Sequence, residues 1–495
     1  METPRPEAYK IYFRCDAGSH IGLGHLVRSL ALAQMLLPAF EPHFLIQSPA
    51  PAVAGMISDY HFAFTALPAT GQYEQEARHL LKTRLQAGDL VVLDGYHFNT
   101  SYQDILKQKP ILLVCIDDLQ AFPFVADVVI NQAGGLNPGR YQVQPHTRLC
   151  LGPGYALLRQ PFLQAALAPR PVTTLDRIFL NMGGADPGND TCRVLADLTR
   201  TDPAARVEVV TGSAYPFTDA LSTLVHTNPR IRVHQNLSAE DMCRLMQSCQ
   251  AAILPPSSVS YEWCSVGGPL FLYQTADNQS AMRAFLKEEH LAEDWENYGA
   301  WRRDLHAAED TARQIARQRK FFGGQSPKNL RSVFHQLYYQ HWLELRPAQP
   351  EDVMILYHWA NDPTVRENSF TQSAIPLEVH KIWYENKIKD PACLFLVARV
   401  QGMPAGMIRY DLKEGQGVIS YLIDQEFRGK SLGAILLQKG EEALKNQHPE
   451  TGTLIGQVQE TNLASVISFQ KSHYTLSHTV PPFKPGALVF EKRII

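Results

Sequence analysis

The chain has 495 residues, a formal net charge of −3 and an apolar fraction of 45%. A chain of this length is too long for one hydrophobic core and predicts about three domains of roughly 150 residues each. The small net charge excludes the basic surface of a nucleic-acid-binding protein, and the apolar fraction excludes a disordered chain, so we expect small-molecule partners. The eight cysteines form no C-x-x-C pair, no apolar run reaches the ~18 residues of a membrane span, and "METPRPEAYK" is no signal peptide. These features predict a cytoplasmic protein with reduced thiols and no membrane partner.

The first predicted elements are a short strand in "YKIYFRCD" and a helix in "IGLGHLVRSLALAQ". The apolar residues of the second stretch recur at a period near 3.6: Leu26, Leu30, Ala33 and Leu37. His25 therefore lies at a helix N-terminus, where unpaired N–H groups and the helix dipole favour phosphate and disfavour a protonated imidazole. The pattern predicts a neutral histidine beside an anion site, although a histidine that merely begins a helix fits the spacing too.

A doubly wound parallel sheet is predicted over residues 8–165. The apolar runs "HFLIQS", "LVVLDGY", "ILLVCIDD" and "VVINQAG" each end in polar or glycine-rich residues, as buried parallel strands do. Two strand ends carry acids, "LDGYHF" with Asp94 and Tyr96 and "IDDL" with Asp117 and Asp118, and both are expected to open onto one cleft edge. Acids in such positions are also common as helix caps or turns.

A second Rossmann-like domain is predicted over residues 174–335, after the proline-rich stretch "PFLQAALAPRPVTTLD". In "NMGGADPGNDT" a strand leads into a helix, and Gly183, Gly184 and Asp186 are the informative residues for phosphate binding. In "PPSSVSYEWCSVGGP" the hydroxyls of Ser257 and Ser258 suit phosphate, and Glu262 suits the two ribose hydroxyls. A cap at Ser258 with Glu262 in the first turn explains the second pattern as well. Two such domains predict a ligand cleft at the carboxyl ends of both sheets.

A third domain is predicted over residues 341–495. "WLELRPAQPEDVMILYHWAND" indicates a strand, a loop and a helix, and "GGQSPKN" indicates the turn before the helix that closes the second domain. "GVISYLIDQEFRGKSLGAILLQKGEEALK" indicates a strand, a tight basic turn with glycines and a long amphipathic helix. The overall fold class is therefore α/β.

Residues 8 to about 335 resemble the UDP-sugar hydrolases of pseudaminic acid biosynthesis. The resemblance rests on "RCDAGSHIGLGHLVR", "LDGY", "IDDL", "GPGYALLRQPF", "NMGGADP" and the run "SYEW", "GGP", "ADNQ". It implies the glycosyltransferase B fold, hydrolysis of UDP-2,4-diacetamido-2,4,6-trideoxy-β-L-altropyranose with inversion and without a metal, and catalysis by His25 and Tyr96. The implied UDP-sugar site comprises Arg14, Asp16, Gly22, Gly24, Arg28, Gly183, Gly184, Asp186, Ser257, Ser258, Glu262, Asn278 and Gln279.

Residues 342 to 495 resemble the GCN5-related N-acetyltransferases. In that family the turn R/Q-x-x-G-x-G/A binds the acetyl-CoA pyrophosphate through N–H groups at a helix start. Here "RGKSLG" matches at Arg428 and Gly433, whereas Ser431 replaces the first glycine, and "LIGQVQETNLASVISFQKSHY" resembles the later motif. The implied acetyl-CoA site comprises Ile423, Arg428, Gly429, Lys430, Ser431, Leu432, Gly433, Ala434 and Asn462. Phe469 stands where many members have a tyrosine, so the residue that protonates the leaving thiolate stays open, and Tyr474 is the catalytic candidate that the resemblance implies.

Together the resemblances imply two neighbouring steps on one chain, with acetyl-CoA as co-substrate and UDP-activated amino sugars as partners. The acetyltransferase would modify the 4-amino group of UDP-4-amino-4,6-dideoxy-N-acetyl-β-L-altrosamine, with His358, Glu367 and Ser369 as candidate acceptor-side groups. The alternatives are a glycosyltransferase of the same fold, or a non-catalytic UDP-sugar-binding module with a degenerate acetyltransferase domain. The sequence leaves the oligomeric state open.

Overall fold

The computed structural model describes residues 8–18, 22–168, 170, 176–304, 307–477 and 486–494. Its contacts divide the chain into two compact units, one of residues Ala8–Leu330 and one that begins at Arg331. The larger unit contains two parallel sheets and the smaller unit contains one mixed sheet.

The first sheet of the larger unit is parallel throughout. Its strands are β1 (Tyr9–Cys15), β2 (Phe40–Gln47), β3 (Ala63–Leu67), β4 (Leu90–Asp94), β5 (Leu112–Ile116), β6 (Val128–Asn131) and β7 (Arg148–Leu151). Its helices are α1 (Gly24–Leu36), α2 (Pro51–Asp59), α3 (Tyr73–Thr83), α4 (Thr100–Leu106) and α5 (Gln160–Leu167). The strand order β3-β2-β1-β4-β5-β6-β7 reverses direction between β1 and β4. This switch point is where doubly wound sheets bind ligands.

The second sheet is also parallel. Its strands are β8 (Arg177–Leu180), β9 (Arg206–Thr211), β10 (Ile231–Gln235), β11 (Ala251–Leu254), β12 (Leu270–Leu272) and β13 (Glu293–Asp294). Its helices are α6 (Asp190–Thr201), α7 (Thr218–Thr227), α8 (Ala239–Ser248), α9 (Ser258–Val266), α10 (Ser280–Glu288), α11 (Tyr298–Arg302) and α12 (Ala307–Phe322). The order β10-β9-β8-β11-β12-β13 puts its switch point between β8 and β11. The loops that follow these two strands carry the motifs at Gly183 and Ser257.

The smaller unit has one mixed sheet in the order β14-β15-β16-β17-β18-β20-β19. Its strands are β14 (Leu343–Pro347), β15 (Cys393–Val400), β16 (Met403–Lys413), β17 (Gln416–Ile423), β18 (Thr453–Gln459), β19 (Thr475–Leu476) and β20 (Ala487–Arg493). Its helices are α13 (Ser326–Trp342), α14 (Val353–Ala360), α15 (Pro363–Glu367), α16 (Leu377–Lys387), α17 (Leu432–Gln447) and α18 (Leu463–Lys471). Neighbouring strands are antiparallel except β17 and β18, which are parallel over Gln416–Ile419 and Thr453–Gly456.

Most of helix α13 belongs to the smaller unit. The sequence predicts it as the closing helix of the second Rossmann-like domain, but the division between the units falls after Leu330. The Ser332 hydroxyl lies 2.9 Å from the Ser431 hydroxyl, and the Tyr339 ring contacts the Phe427 ring at 6.2 Å between centroids. The smaller unit therefore begins before residue 341, which is the first residue predicted for the third domain.

We expect residues 326–495 to form a more stable fragment than residues 341–495. The shorter fragment lacks Tyr339, which is fully buried, and a buried aromatic side chain contributes about 1.5–3 kcal/mol. Thermal unfolding of both fragments measures the difference. Equal melting temperatures would show that α13 contributes nothing to this unit.

Candidate active sites

His25 and Asp94 form a buried pair at the switch point of the first sheet. Helix α1 begins at Gly24, one residue before His25, and Asp94 is the last residue of β4, the neighbour of β1. The His25 Nδ1 atom lies 2.7 Å from Asp94 Oδ1, and the Asp94 side chain is 1% exposed. Because β1 and β4 are neighbours in the sheet, the helix that follows β1 brings His25 next to Asp94, 69 positions away in sequence.

The Asp94 carboxylate determines which nitrogen of His25 carries the proton. It also accepts hydrogen bonds from Arg28 Nη2 at 2.5 Å and from Ser29 Oγ at 3.0 Å. Burial raises the pKa of Asp94, but the charge of Arg28 and the hydrogen bonds from His25 and Arg28 outweigh burial, so the pKa lies below its usual value. An ionised carboxylate only accepts hydrogen bonds, so Nδ1 donates to it and Nε2 of the neutral ring keeps its lone pair.

Tyr96 and Asp118 extend this cluster toward solvent. The Tyr96 ring meets the His25 ring edge-on, with 4.9 Å between centroids, and its hydroxyl donates to Asp118 Oδ2 at 3.2 Å. Burial, together with the Asp118 charge, raises the pKa of Tyr96 to about 12, so its hydroxyl stays protonated near neutral pH. Tyr96 lines two cavities, of about 80 and about 510 Å³. The cluster therefore opens onto space where a substrate can bind.

Three predicted ligands of this region have other roles. Arg14 is fully buried, and its guanidinium pairs with Glu76 at 2.8 Å and with Asp16 at 2.6 Å. Asp16 accepts from Arg14 and from the Gln47 N–H inside the domain, and the assignment of both residues to the UDP-sugar site stays a prediction. Arg28 is also committed, since it binds both Asp94 and Asp118. Its positive charge stabilises these carboxylates and is not free to neutralise a phosphate.

A glycine-rich turn leads into the N-terminus of helix α1. Gly22 has φ +80°, in the left-handed region that favours glycine, and exchanges two backbone hydrogen bonds with Gly18. Residues 19–21 lie outside the described part of the chain. Among the described residues, no side chain caps α1, and its first turn contains no acidic residue, so its first N–H groups, from Gly24 onward, can face an anion.

In the second sheet, the structure distinguishes the two predicted phosphate motifs. The Asp186 carboxylate accepts from the backbone N–H groups of Asp190 and Thr191 at 2.9 and 2.8 Å. Asp186 thus caps α6, and its negative charge already occupies this N-terminus, so its place in the UDP-sugar site stays a prediction. Gly183, with φ +95°, makes the turn before this cap, and Gly184 follows it.

The other motif begins α9 without a cap. Ser257 occupies the N-cap position but makes no capping hydrogen bond, and the first turn of α9 contains no acidic residue. The Ser258 hydroxyl accepts from Gln132 Nε2, a residue of the first sheet's domain, at 3.2 Å. The N-terminus of α9 is therefore better suited to a diphosphate than that of α6.

Glu262 forms an ion pair that links the two domains of the larger unit. Its oxygens accept from Arg159 Nε at 2.6 Å and Nη2 at 2.8 Å, and its side chain is 9% exposed. Gln279, another predicted ligand, turns back onto Thr275 of its own loop. The side chain of Asn278 lies outside the described part.

We expect Glu262→Ala to weaken UDP binding by about 1.5–3 kcal/mol, the value of hydrogen bonds to a charged group. Calorimetry with UDP measures this loss, and Arg159→Met is the matched control because it removes the same ion pair but leaves the carboxylate. A loss only in Glu262→Ala supports ribose binding. Equal losses would indicate that the pair positions the domains, and an unchanged Kd would restrict Glu262 to a structural role.

The predicted acetyl-CoA turn lies between β17 and α17. Arg428 Nε donates to the Ile423 carbonyl at 2.9 Å, and its Nη1 lies 2.9 Å from Asp362 Oδ1, so this side chain braces the turn. Gly429 has φ +72°, and Lys430 lies over the Phe427 ring at 5.9 Å. Leu432, Gly433 and Ala434 form the first turn of α17, whose N-terminus has no side-chain cap. These N–H groups are arranged to bind an anion.

Ser431 and Gly433 of this turn lie against neighbouring helices. Ser431, which replaces the first motif glycine, has left-handed backbone angles, with φ of 63° and ψ of 15°, and its side chain points to Ser332. A Cβ atom at Gly433 would lie 2.6 Å from Ser468 Oγ and 3.3 Å from Ser468 Cβ on α18, so a side chain at this position would press against α18.

Two predicted site residues of the later motif, Asn462 and Tyr474, have structural roles. Asn462 caps α18 by accepting from the Ser465 N–H at 3.2 Å, so its side chain is not a free ligand. Tyr474 is 3% exposed, its hydroxyl has no hydrogen-bond partner among the described residues, and its ring packs edge-on against Phe469 at 5.1 Å. Tyr474 is enclosed in the core, and its role as proton donor stays a prediction.

The acceptor-side candidates are not brought together by an interaction. The Ser369 hydroxyl donates to the Val365 carbonyl at 2.5 Å, and the His358 ring meets the Tyr357 ring edge-on.

Within the described ranges, no group of three or more His, Cys, Asp or Glu is arranged to hold a metal ion. None of the helices that the structure describes has the length and apolar character needed to cross a bilayer.

Comparison with known proteins agrees with this two-part organisation. Residues 353–474 match the acetyltransferase (GNAT) family. The chain is 24% identical, over 255 residues, to the UDP-2,4-diacetamido-2,4,6-trideoxy-beta-L-altropyranose hydrolase of Campylobacter jejuni, covering 51% of this chain and 87% of that protein. It is 26% identical over 274 residues to the spore coat polysaccharide biosynthesis protein SpsG of Bacillus subtilis, covering 54% and 77%. It is 22% identical over 405 residues to an uncharacterized protein of Methanocaldococcus jannaschii, covering 77% and 79%.

The chain is therefore a fusion of a part similar to UDP-sugar hydrolases with a GNAT-like part, which confirms the resemblance predicted from the motifs. The predicted fold class is confirmed as well, since two Rossmann-like parallel sheets precede the mixed acetyltransferase sheet.

Proposed function

We propose that the chain catalyses two consecutive reactions on one sugar nucleotide. The smaller unit transfers an acetyl group from acetyl-CoA to the 4-amino group of UDP-4-amino-4,6-dideoxy-N-acetyl-β-L-altrosamine. The larger unit then hydrolyses UDP-2,4-diacetamido-2,4,6-trideoxy-β-L-altropyranose to release UDP. The observation that carries the proposal is the buried His25–Asp94 pair at the ligand-binding edge of the first sheet.

In the hydrolytic step, Nε2 of His25 removes a proton from water as the oxygen bonds to the anomeric carbon. The bond between that carbon and the diphosphate oxygen breaks, and UDP leaves from the opposite face with inversion. Asp94 holds the ring in the required tautomer and stabilises the imidazolium that forms, as a buried carboxylate does in other histidine-dependent hydrolases. This step needs no metal because the base and the diphosphate-binding groups all come from the protein.

The uncapped N-terminus of α9 supports diphosphate binding by Ser257 and Ser258. Glu262 accepts the ribose hydroxyls while Arg159 orients it. The Tyr96 hydroxyl, which is half exposed beside His25, donates to the sugar or to the attacking water.

In the acetyl-transfer step, the pyrophosphate of acetyl-CoA binds to the N–H groups of residues 428–434. The amine of the sugar nucleotide attacks the thioester carbon, and coenzyme A leaves as the thiol. The GNAT match over residues 353–474 and the uncapped α17 support this assignment.

The test incubates the full chain with the 4-amino UDP-sugar and acetyl-CoA, and follows free CoA and free UDP separately. We expect CoA to be released first and UDP to follow, without any added acceptor. UDP release that requires a sugar acceptor would identify a glycosyltransferase, and binding without release of either product would identify a non-catalytic module.

A further inference from the structure

Strands β17 and β18 separate near the acetyl-CoA turn. Their parallel pairing ends at Ile419 and Gly456, although β17 continues to Ile423 and β18 to Gln459. Within the described residues, β17 keeps its other neighbour, β16, to the end of the strand. A gap therefore opens between the two strands, and the N-terminus of α17 lies beside its wider end.

Tyr421 lies on the stretch of β17 beyond this pairing, and its side chain contacts α18. It is on the same face of β17 as Ile423, whose Cδ1 atom lies 3.4 Å from the Cβ position of Gly433 in α17. Its hydroxyl lies 3.0 Å from the Ser465 hydroxyl on α18, the helix whose Ser468 contacts Gly433. Tyr421 is partly exposed, and its hydroxyl lies on the side of β17 that faces α18.

The acetyl-transfer reaction requires a proton donor in this region. When the C–S bond breaks, the electron pair remains on sulfur, and protonation of the thiolate favours its departure. Phe469 has no proton to give, and its ring fills the base of the gap, over Gly456 and edge-on to Tyr421 at 5.9 Å. Burial raises the pKa of Tyr421 despite its hydrogen bonds to Ser465 and Ser468, so the phenol stays protonated at neutral pH.

We propose that Tyr421 is the catalytic acid of the acetyltransferase, which protonates the sulfur of the leaving coenzyme A. In this step, the amine nitrogen bonds to the thioester carbon, the C–S bond breaks, and the Tyr421 proton moves to sulfur. The protonated amide nitrogen of the product loses its extra proton to solvent, and the phenolate regains one from solvent. The Ser465 hydroxyl donates to the phenolate while it exists. This inference rests on the proposed acetylation of the amino sugar nucleotide.

The test compares the wild-type chain with Tyr421→Phe, using acetyl-CoA and the 4-amino UDP-sugar. We expect kcat for CoA release to fall by about 10²–10⁴, the usual contribution of a general acid. The KM for acetyl-CoA and the Kd of CoA, measured by calorimetry, are expected to change by less than about threefold, because the hydroxyl acts on the transition state and not on binding.

Tyr410→Phe is the matched control, because Tyr410 is a buried tyrosine of the adjacent strand β16 whose hydroxyl has no hydrogen-bond partner in the described part of the chain. Its kcat is expected to equal that of the wild type. A wild-type kcat in Tyr421→Phe, or an equal loss in Tyr410→Phe, would overturn the assignment. So would a larger loss in Tyr474→Phe, which would return the role to the tyrosine predicted from the sequence. An inactive wild-type chain would overturn the proposed acetylation and this inference together.

Discussion

His25→Asn is expected to lower the rate of UDP release by about 10²–10⁴, the usual contribution of a general base. Asparagine keeps a polar group that can donate to Asp94, so the cluster of Asp94, Arg28 and Ser29 remains hydrogen-bonded. It has no nitrogen lone pair that can accept a proton from water. UDP affinity is expected to stay nearly constant, because UDP is proposed to bind mainly at α9.

Steady-state release of UDP from the diacetamido sugar nucleotide measures the rate, and calorimetry with UDP measures the affinity. His79→Asn is the matched control, because His79 lies on the exposed face of α3 away from the cluster. Turnover in His25→Asn within about threefold of the wild type would remove His25 from the mechanism. Equal loss of UDP affinity and of rate would mean that His25 binds substrate and does not act as a base.

The sequence was sufficient to place His25 but not to assign its neighbours. Asp94 and Asp118 were expected at the same cleft edge from their positions after adjacent strands, and the structure brings both to the cluster. Their partners depend on side-chain direction, which alternates along a strand and cannot be read from an isolated motif. Arg14, within the same motif as His25, accordingly points into the core toward Glu76.

The sequence pattern also could not show which helix N-terminus is capped by a side chain. "NMGGADPGNDT" and "PPSSVSYEW" both indicate a strand followed by a helix, and both contain residues that suit phosphate. Only the structure shows that Asp186 turns back to cap α6, whereas Ser257 leaves α9 uncapped. An acid close before a helix is compatible with either role, so the pattern alone could not separate them.

Two strands of the first sheet that the sequence missed are short and incompletely buried. Strands β3 and β7 lie at the two edges of the first sheet, and each has only one buried residue. An edge strand needs no continuous apolar run, because one side of it faces solvent. The central strands β4 and β5 are buried at every position and were predicted from their apolar runs.

Gly433→Leu is expected to abolish acetyl transfer while leaving UDP release from the diacetamido substrate unchanged. A Cβ atom at this position would lie 2.6 Å from Ser468 Oγ and 3.3 Å from Ser468 Cβ, and the larger leucine side chain is expected to push α17 and α18 apart. A displacement of about 1 Å in a positioning element can lower a rate by about 10². Here the displaced atoms are the N–H groups that bind the pyrophosphate, so affinity for acetyl-CoA is expected to fall together with the rate.

Ser431→Gly is the matched control in the same turn. The left-handed backbone of Ser431 costs a non-glycine residue roughly 1–2 kcal/mol, which glycine avoids. Losing the hydrogen bond with Ser332 costs about 0.5–1.5 kcal/mol, so the two effects nearly cancel, and acetyl transfer is expected to remain close to the wild-type rate. Calorimetry with CoA and separate assays of CoA and UDP release measure both variants. If Gly433→Leu binds CoA with normal affinity, the pyrophosphate must bind elsewhere than at residues 428–434, because no leucine fits between α17 and α18 without moving this turn.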